Sequence, residues 1–329
     1  MIKHKIIIFV LIVLSFSSCI TTKTAVKDFN NAEYYDASIK FEKIIKEGDS
    51  ENSFLLAESL RKSNRLWQAE KYYKNAIKFG IRDEMAYYYL TLSLKGNSNY
   101  DAADSLISNY LSKGKDEAVI NLMRRESLHI KNLRLYPDTS YYKVKNLKAL
   151  NTNYAEYSPA FSNEKLYFVS NRQSEKIYSG TGTPFTDLYE IKSKGANVDI
   201  NSLKKLGENI NNEKVNEGSI TFSGDGMYMI FAKGNNGKSN GRNNVDLYYS
   251  RYRRSGWANP RLLNVNTSRS WDSTPFLTKD GKTLYFASNR SKGYGGTDIY
   301  KANVNRRGRW INIQNLGPEI NTPGNELFP

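Results

Sequence analysis

The chain has 329 residues, 39% of them hydrophobic, and 48 Lys and Arg against 33 Asp and Glu give it a formal charge of +15. A single cysteine excludes a disulfide framework, and two histidines leave little for a His-based catalytic or metal cluster. The positive excess suits anionic glycan, lipopolysaccharide or acidic partners, and is equally what a lysine- and asparagine-rich composition produces with no ligand behind it.

The N-terminus reads MIKHKIIIFVLIVLSFSSCI: basic Lys3 and Lys5, an apolar run from Ile6 to Leu14, then small polar residues leading to Cys19. The run is too short to span a bilayer and has the layout of a secretory signal. FSSC resembles the lipobox of bacterial lipoproteins, in which the cysteine is acylated after cleavage just before it. This implies a signal peptide over 1–18, lipidation at Cys19 and a tether over 19–27. Several acyl chains on one residue anchor a protein stably. ITTKTAVK after the cysteine has no adjacent aspartate and no acidic cluster, which by resemblance to Gram-negative sorting implies the periplasmic face of the outer membrane. Export disfavours nucleic acid as a partner.

Helical repeats are expected over 28–130. YYDASIKFEKII from Tyr34, LWQAEKYYKNAI from Leu66 and NYDAADSLISNY from Asn99 align with Tyr35, Trp67 and Tyr100 in step. Ala37, Ala69 and Ala102 repeat the spacing, as do Phe41, Tyr73 and Leu106, placing small and large apolar residues on one helix face. A period near 34 with this pattern resembles the tetratricopeptide repeat, whose stacked helix pairs offer a concave surface to a peptide or protein segment. GKDEAVINLMRRESLHI reads as a capping helix. Tyr87 to Tyr89 and His129 are expected to pack rather than bind a ligand.

After a linker over 131–152, residues 153–329 carry a strand repeat. EYSPAFSNEKLYFVSNR from Glu156, EGSITFSGDGMYMIFAKG from Glu217 and DSTPFLTKDGKTLYFASNR from Asp272 are copies of one motif, each followed by an Asp, an aliphatic residue and Tyr at Asp187, Asp246 and Asp298. Asp225-Gly226 and Asp280-Gly281 predict type I′ hairpins. A last short strand precedes LGENINNEKVNE in the first copy and LGPEINTPGNE in the third, with the divergent LNVNTSRSWD in the second. Four strands in about 55 to 61 residues make one propeller blade. NELFP begins a fourth copy, so the expectation is three blades and a fragment cut from a longer protein.

Lipobox, tetratricopeptide-like array and blades reading SPAFS, LYFVSNR, TDLYEI and LGENIN together resemble a family of Bacteroidota outer-membrane lipoproteins, PorE-like and associated with type IX secretion and gliding. The resemblance implies an α + β multidomain chain, with a helical repeat array followed by an incomplete antiparallel WD40-like (PD40, TolB-like) propeller. It implies a scaffold that docks protein partners of a secretion or envelope complex. In full-length members a C-terminal OmpA-like domain binds peptidoglycan, so that partner belongs to a segment absent here.

No catalytic constellation is visible. No G-x-S-x-G elbow occurs, and the glycine-rich KGNNGKSNGRNN and SKGYGGTD lack P-loop spacing. The chain is therefore expected to be a non-enzyme with no cofactor and no metal; a propeller-linked hydrolase would need a catalytic domain beyond Pro329. Asp187, Asp246 and Asp298 are candidates for cation ligands or for bonds to backbone N–H groups. Arg172 and Arg290, in the two Ser-Asn-Arg copies, are candidates for a recognition rim or for pairing with a neighbouring blade. The alternative function is a glycan- or peptide-binding envelope receptor using the propeller loops.

Overall fold

A computed structural model describes residues 21–135, 146–172, 174–234, 245–268 and 270–329. Cys19, the signal segment and most of KGNNGKSNGRNN lie outside the described residues. The chain is α + β, with seven α-helices followed by antiparallel sheets among the described residues.

The helices are α1 (Thr22–Asn30), α2 (Tyr34–Ile44), α3 (Ser50–Lys62), α4 (Glu70–Lys78), α5 (Met85–Gly96), α6 (Tyr100–Lys113) and α7 (Glu117–Leu135). Helical structure thus covers much of the stretch read as tether and runs past residue 130. Asp49 and Asn99 cap α3 and α6 by accepting from the Asn52 and Ala102 amides at 3.0 and 3.4 Å. Each helix packs on its successor around one core that includes Phe41, Leu56, Tyr73, Leu90, Ile107 and Met123.

The expected pairing holds in the first two copies, where Ala37 and Phe41, then Ala69 and Tyr73, are fully buried. In the third copy the buried pair is Ala103 and Ile107, one residue on from Ala102 and Leu106. Trp67 lies outside its helix, in a 3₁₀ turn at Leu66–Gln68, and is 56% exposed. Tyr87 and Tyr89 pack against Tyr110 and Tyr73, with ring centroids 5.0 and 6.1 Å apart. Buried Glu58 is held by the Tyr73 hydroxyl at 2.5 Å and by Arg61 at 2.6 Å, so its charge is both paired and hydrogen-bonded.

Among the described residues three larger sheets and a two-stranded hairpin follow. In the first, β1 (Glu156–Ser162) pairs β2 (Lys165–Ser170), which pairs β5 (Asp187–Lys194), with short β6 (Asn197–Val198) and β7 (Lys204–Lys205) outside. A hairpin of β3 (Ile177–Tyr178) and β4 (Thr183–Pro184) interrupts it and reaches α2, where the Tyr35 amide donates to the Ser179 carbonyl at 3.1 Å. The second sheet runs β8 (Asn216–Phe222), β9 (Tyr228–Gly234) and β10 (Val245–Arg253), with β11 (Gly256–Trp257) and β12 (Arg261–Leu262) at its edge. The third is β13 (Asp272–Leu277), β14 (Thr283–Ser288), β15 (Asp298–Val304) and β16 (Trp310–Asn315).

The sheets stack in chain order. Tyr167, Val169 and Leu188 of the first meet Phe222, Met229 and Phe231 of the second. Ile230, Ala232 and Leu247 of the second meet Leu277, Leu284 and Phe286 of the third. Alternate residues of one strand thus serve two different interfaces, the consequence of a period of two on a sheet covered on both faces.

The turn prediction is corrected. Gly226 and Gly281 have φ of +68°, whereas Asp225 and Asp280 stay outside the left-handed region. The amides of both glycines donate three residues back, to Ser223 and Thr278, at 2.8 Å. These are turns closed by one left-handed glycine rather than type I′. The type I′ pattern occurs in the first copy, where Asn163 and Glu164 have φ of 48° and 56°.

Candidate functional site

Each sheet begins on an innermost strand, β1, β8 or β13, and each of these carries a bulge at the same place: between Tyr157 and Ala160, Glu217 and Ile220, and Ser273 and Phe276. Ser158 and Thr274, each before a proline, have φ of 51° and 45°, a region costly for a β-branched residue such as Thr. Bulges bend a strand and re-aim its side chains. Here the three strands, with Phe328 and Pro329, enclose an open cavity of ≈ 740 Å³. Its polar lining is largely hydroxyl: Ser158 donates to Ser219 at 3.0 Å, and Thr221 accepts from the Leu277 amide at 3.1 Å. Phe161 and Phe276 also line it, 62% and 47% exposed. Among the described residues Lys279 is the one ionisable side chain in this lining. The cavity offers hydroxyls, peptide edges and aromatic faces, and the described residues of its lining include no acid–base pair of side chains.

The predicted site residues lie away from this cavity, at the opposite end of the inner strands. Arg172 ion-pairs with Glu156 at 2.9 Å and Arg290 with Asp272 at 2.8 Å, so each binds the acid that opens its own sheet, not a neighbouring one. Both guanidiniums also donate to Ser170 or Ser288 and to the Leu150 or Val265 carbonyl. Each lies over two rings, Phe168 and Tyr189 or Phe286 and Tyr300. Burial works to raise the Glu156 carboxyl, and hydrogen bonds from Thr152 with the Arg172 charge outweigh it, leaving Glu156 below the usual carboxylate range.

The middle sheet differs. Fully buried Glu217 faces Lys233 Nζ at 2.9 Å, but that ammonium donates to the Ile210 carbonyl at 2.7 Å, and Oε1 has no well-aligned donor among the described residues. Burial pushes Glu217 up to about 8.

Asp298 accepts from the amides of Tyr294 and Gly295 at 2.6 and 3.0 Å and from Asn315 at 2.8 Å, the backbone role considered for it. Asp187 instead pairs with Lys205 at 2.8 Å; burial pushes its carboxyl up, and Lys205 opposes the shift. Burial and then Asp272 raise Asp246. Among the described residues no group of three or more His, Cys, Asp or Glu is placed to hold a metal. His129 is exposed, 3.5 Å from Glu126.

A further repeated residue was missed in the sequence. Asn211, Asn266 and Asn321 each accept from the amide of a third-strand residue, Leu188, Leu247 or Ile299, at 2.7 to 2.8 Å, and donate back to its carbonyl at 2.9 to 3.0 Å. The signal was present: the three asparagines are 55 residues apart in both steps. LNVNTSRSWD, read as divergent, performs the same task as the other two copies.

No family model matches the chain, and no curated protein matches it. Among solved structures it is similar to a Mycobacterium tuberculosis puromycin-hydrolyzing peptidase, at 16% identity and a TM-score of 0.33, over 50% of this chain and 24% of that one. A prolyl endopeptidase matches at 14% identity and a TM-score of 0.26, over 64% and 36%. A luciferin-regenerating enzyme matches at 14% and 0.30, over 52% and 49%. The chain thus spans less than half the length of each. The expectation that the chain is not an enzyme is corrected, because the solved chains it is similar to are enzymes by name. At these TM-scores they assign it no reaction.

Proposed function

We propose that the chain is a periplasm-facing lipoprotein of an outer membrane, anchored through Cys19, that docks protein partners of an envelope or type IX secretion complex. In this reading the helices form a tetratricopeptide-like array and the sheets are blades of a WD40-like propeller. The observation that carries it is the succession of two repeat systems in one chain, the second built of stacked sheets of four or five strands whose inner strands share one open cavity. Repeats stacked in this way supply extended surfaces suited to protein segments. Acyl labelling and membrane fractionation of Cys19→Ala test the anchoring: loss of both supports it, and unchanged labelling and association overturn it. Cross-linking in the envelope tests the docking, which requires specific protein partners to be recovered.

A second reading, a receptor for glycan or peptide, is favoured by the hydroxyl and aromatic lining of the cavity. Titration with neutral oligosaccharides and with peptides separates the two, since saturable binding lost in Phe161→Ala and Phe276→Ala supports the receptor.

A further inference from the structure

We infer that the end of the three sheets formed by the first-to-second and third-to-fourth strand turns is a docking surface for an anionic lipid membrane. It stands on observations independent of Cys19.

The cations at the two ends of the sheets are used differently. At the end where β1, β8 and β13 begin, Arg172 and Arg290 are committed to carboxylates, and Lys233 faces Glu217 and donates to the Ile210 carbonyl. At the other end, the last residues of β10 include Arg251 and Arg253, the turn after it carries Arg254, and the β15–β16 turn carries Arg306, Arg307 and Arg309, all exposed. The equivalent turn of the first sheet adds exposed Lys192 and Lys194. Among the described residues none of these eight forms an ion pair. The acids nearby are few: Glu164; Asp199, whose amide donates to the Lys192 carbonyl at 2.9 Å and whose carboxylate accepts from the Asn201 amide; and Asp225 and Asp280, which each accept a hydroxyl and a backbone amide within their own turn.

These turns lie at one level. A Cβ on Gly226 would meet the Asn163 side chain at 2.4 Å, and one on Gly224 would meet the Lys279 carbonyl at 2.4 Å, so the inner turns of all three sheets touch. Register places the outer turns beside them: Arg251 pairs with Tyr228, and the Val304 amide donates to the Lys282 carbonyl at 3.0 Å. Met227 and Tyr252 are exposed at the same level and joined by a 2.8 Å backbone bond, an apolar and an aromatic group among the cations.

A group of exposed cations on separate, neighbouring turns matches charge spread over a surface better than a single fixed carboxylate, for which a guanidinium would be held in one orientation as Arg290 is. Mobile anionic headgroups meet each turn independently, and an interfacial Tyr and Met suit the headgroup boundary. The occupant is therefore a bilayer rich in anionic phospholipid.

The test is co-sedimentation of the full chain carrying Cys19→Ala, so that no acyl group contributes, with vesicles of phosphatidylcholine alone or mixed with phosphatidylglycerol. Binding to the mixed vesicles should exceed that to phosphatidylcholine about tenfold or more and weaken with salt. Arg253→Glu with Arg254→Glu, Arg306→Glu and Arg307→Glu should abolish the preference while leaving the circular dichroism melt in place. Should that variant melt early, Arg306→Gln with Arg307→Gln should still weaken binding. Equal binding by the parent and both variants overturns the inference, and so does retention on an acidic polypeptide column with no preference for anionic vesicles.

Discussion

Glu217 makes the stability of the middle sheet depend on pH in the direction opposite to an ordinary salt-bridged carboxylate. Its folded carboxyl is raised to about 8 from an ordinary 4.5, so between those values the folded state holds a proton that the unfolded state has released. Stability from this site is complete below pH 4.5 and is lost as pH rises through 8, at up to about 1.4 kcal/mol per pH unit. Between pH 5 and 8.5 the loss amounts to about 4 kcal/mol. Glu217→Gln removes the titration while keeping an oxygen for the Asn212 amide, 3.3 Å away in the parent. Urea unfolding followed by circular dichroism at pH 5 and 8.5 should therefore show the parent losing about 4 kcal/mol more than the variant. Parallel pH dependence in the two proteins would refute the reasoning, because it would mean that Lys233 keeps Glu217 ionised at both pH values.

Removing the guanidinium in Arg290→Met leaves the Asp272 carboxylate buried and should cost about 3–5 kcal/mol in urea unfolding. Arg290→Lys should recover only part of this, since it cannot also reach Ser288 and the Val265 carbonyl. Asn211→Ala strands the Leu188 amide, while the Leu188 carbonyl keeps the Leu206 amide at 2.9 Å, and should cost about 1–3 kcal/mol in the same assay. Ala103→Leu should destabilise the helical half by about 1–3 kcal/mol in thermal melts, with Ala102→Leu well below that. The opposite order would restore the register first expected for that helix.

The strand repeat was legible because alternation and turn residues are local signals, and the order of strands followed from them. The third helical copy was misplaced by one residue because Asp-Ala-Ala presents two adjacent alanines, and only the neighbouring helices decide which one they cover. Asp-Gly predicted the wrong turn type for a related reason. Ser223 and Thr278 bond Asp225 and Asp280, and this closes a longer turn whose only left-handed residue is glycine. The partners of Arg172 and Arg290 lie 16 and 18 residues upstream on an adjacent strand, a distance that register alone bridges. The cavity was invisible for the same reason: its wall comes from three strands far apart in the chain, and each hydroxyl taken alone is an ordinary surface residue.

The segment joining each sheet to the next belongs to both. Its asparagine, at 211, 266 or 321, ties it back to the third strand of the sheet just completed. The following residue's amide donates to the acid near the start of the next strand, Asn212 to Glu217 and Thr267 to Asp272 at 3.3 and 3.1 Å, and Thr322 donates likewise to Glu326 at 3.0 Å. Melting one sheet therefore frays the anchorage of its successor as well as the face it packs against. In the language of a one-dimensional array, the coupling between neighbours is large relative to the stability of each unit, so the sheets should exchange their amide hydrogens as one cooperative block rather than peel away singly from either side.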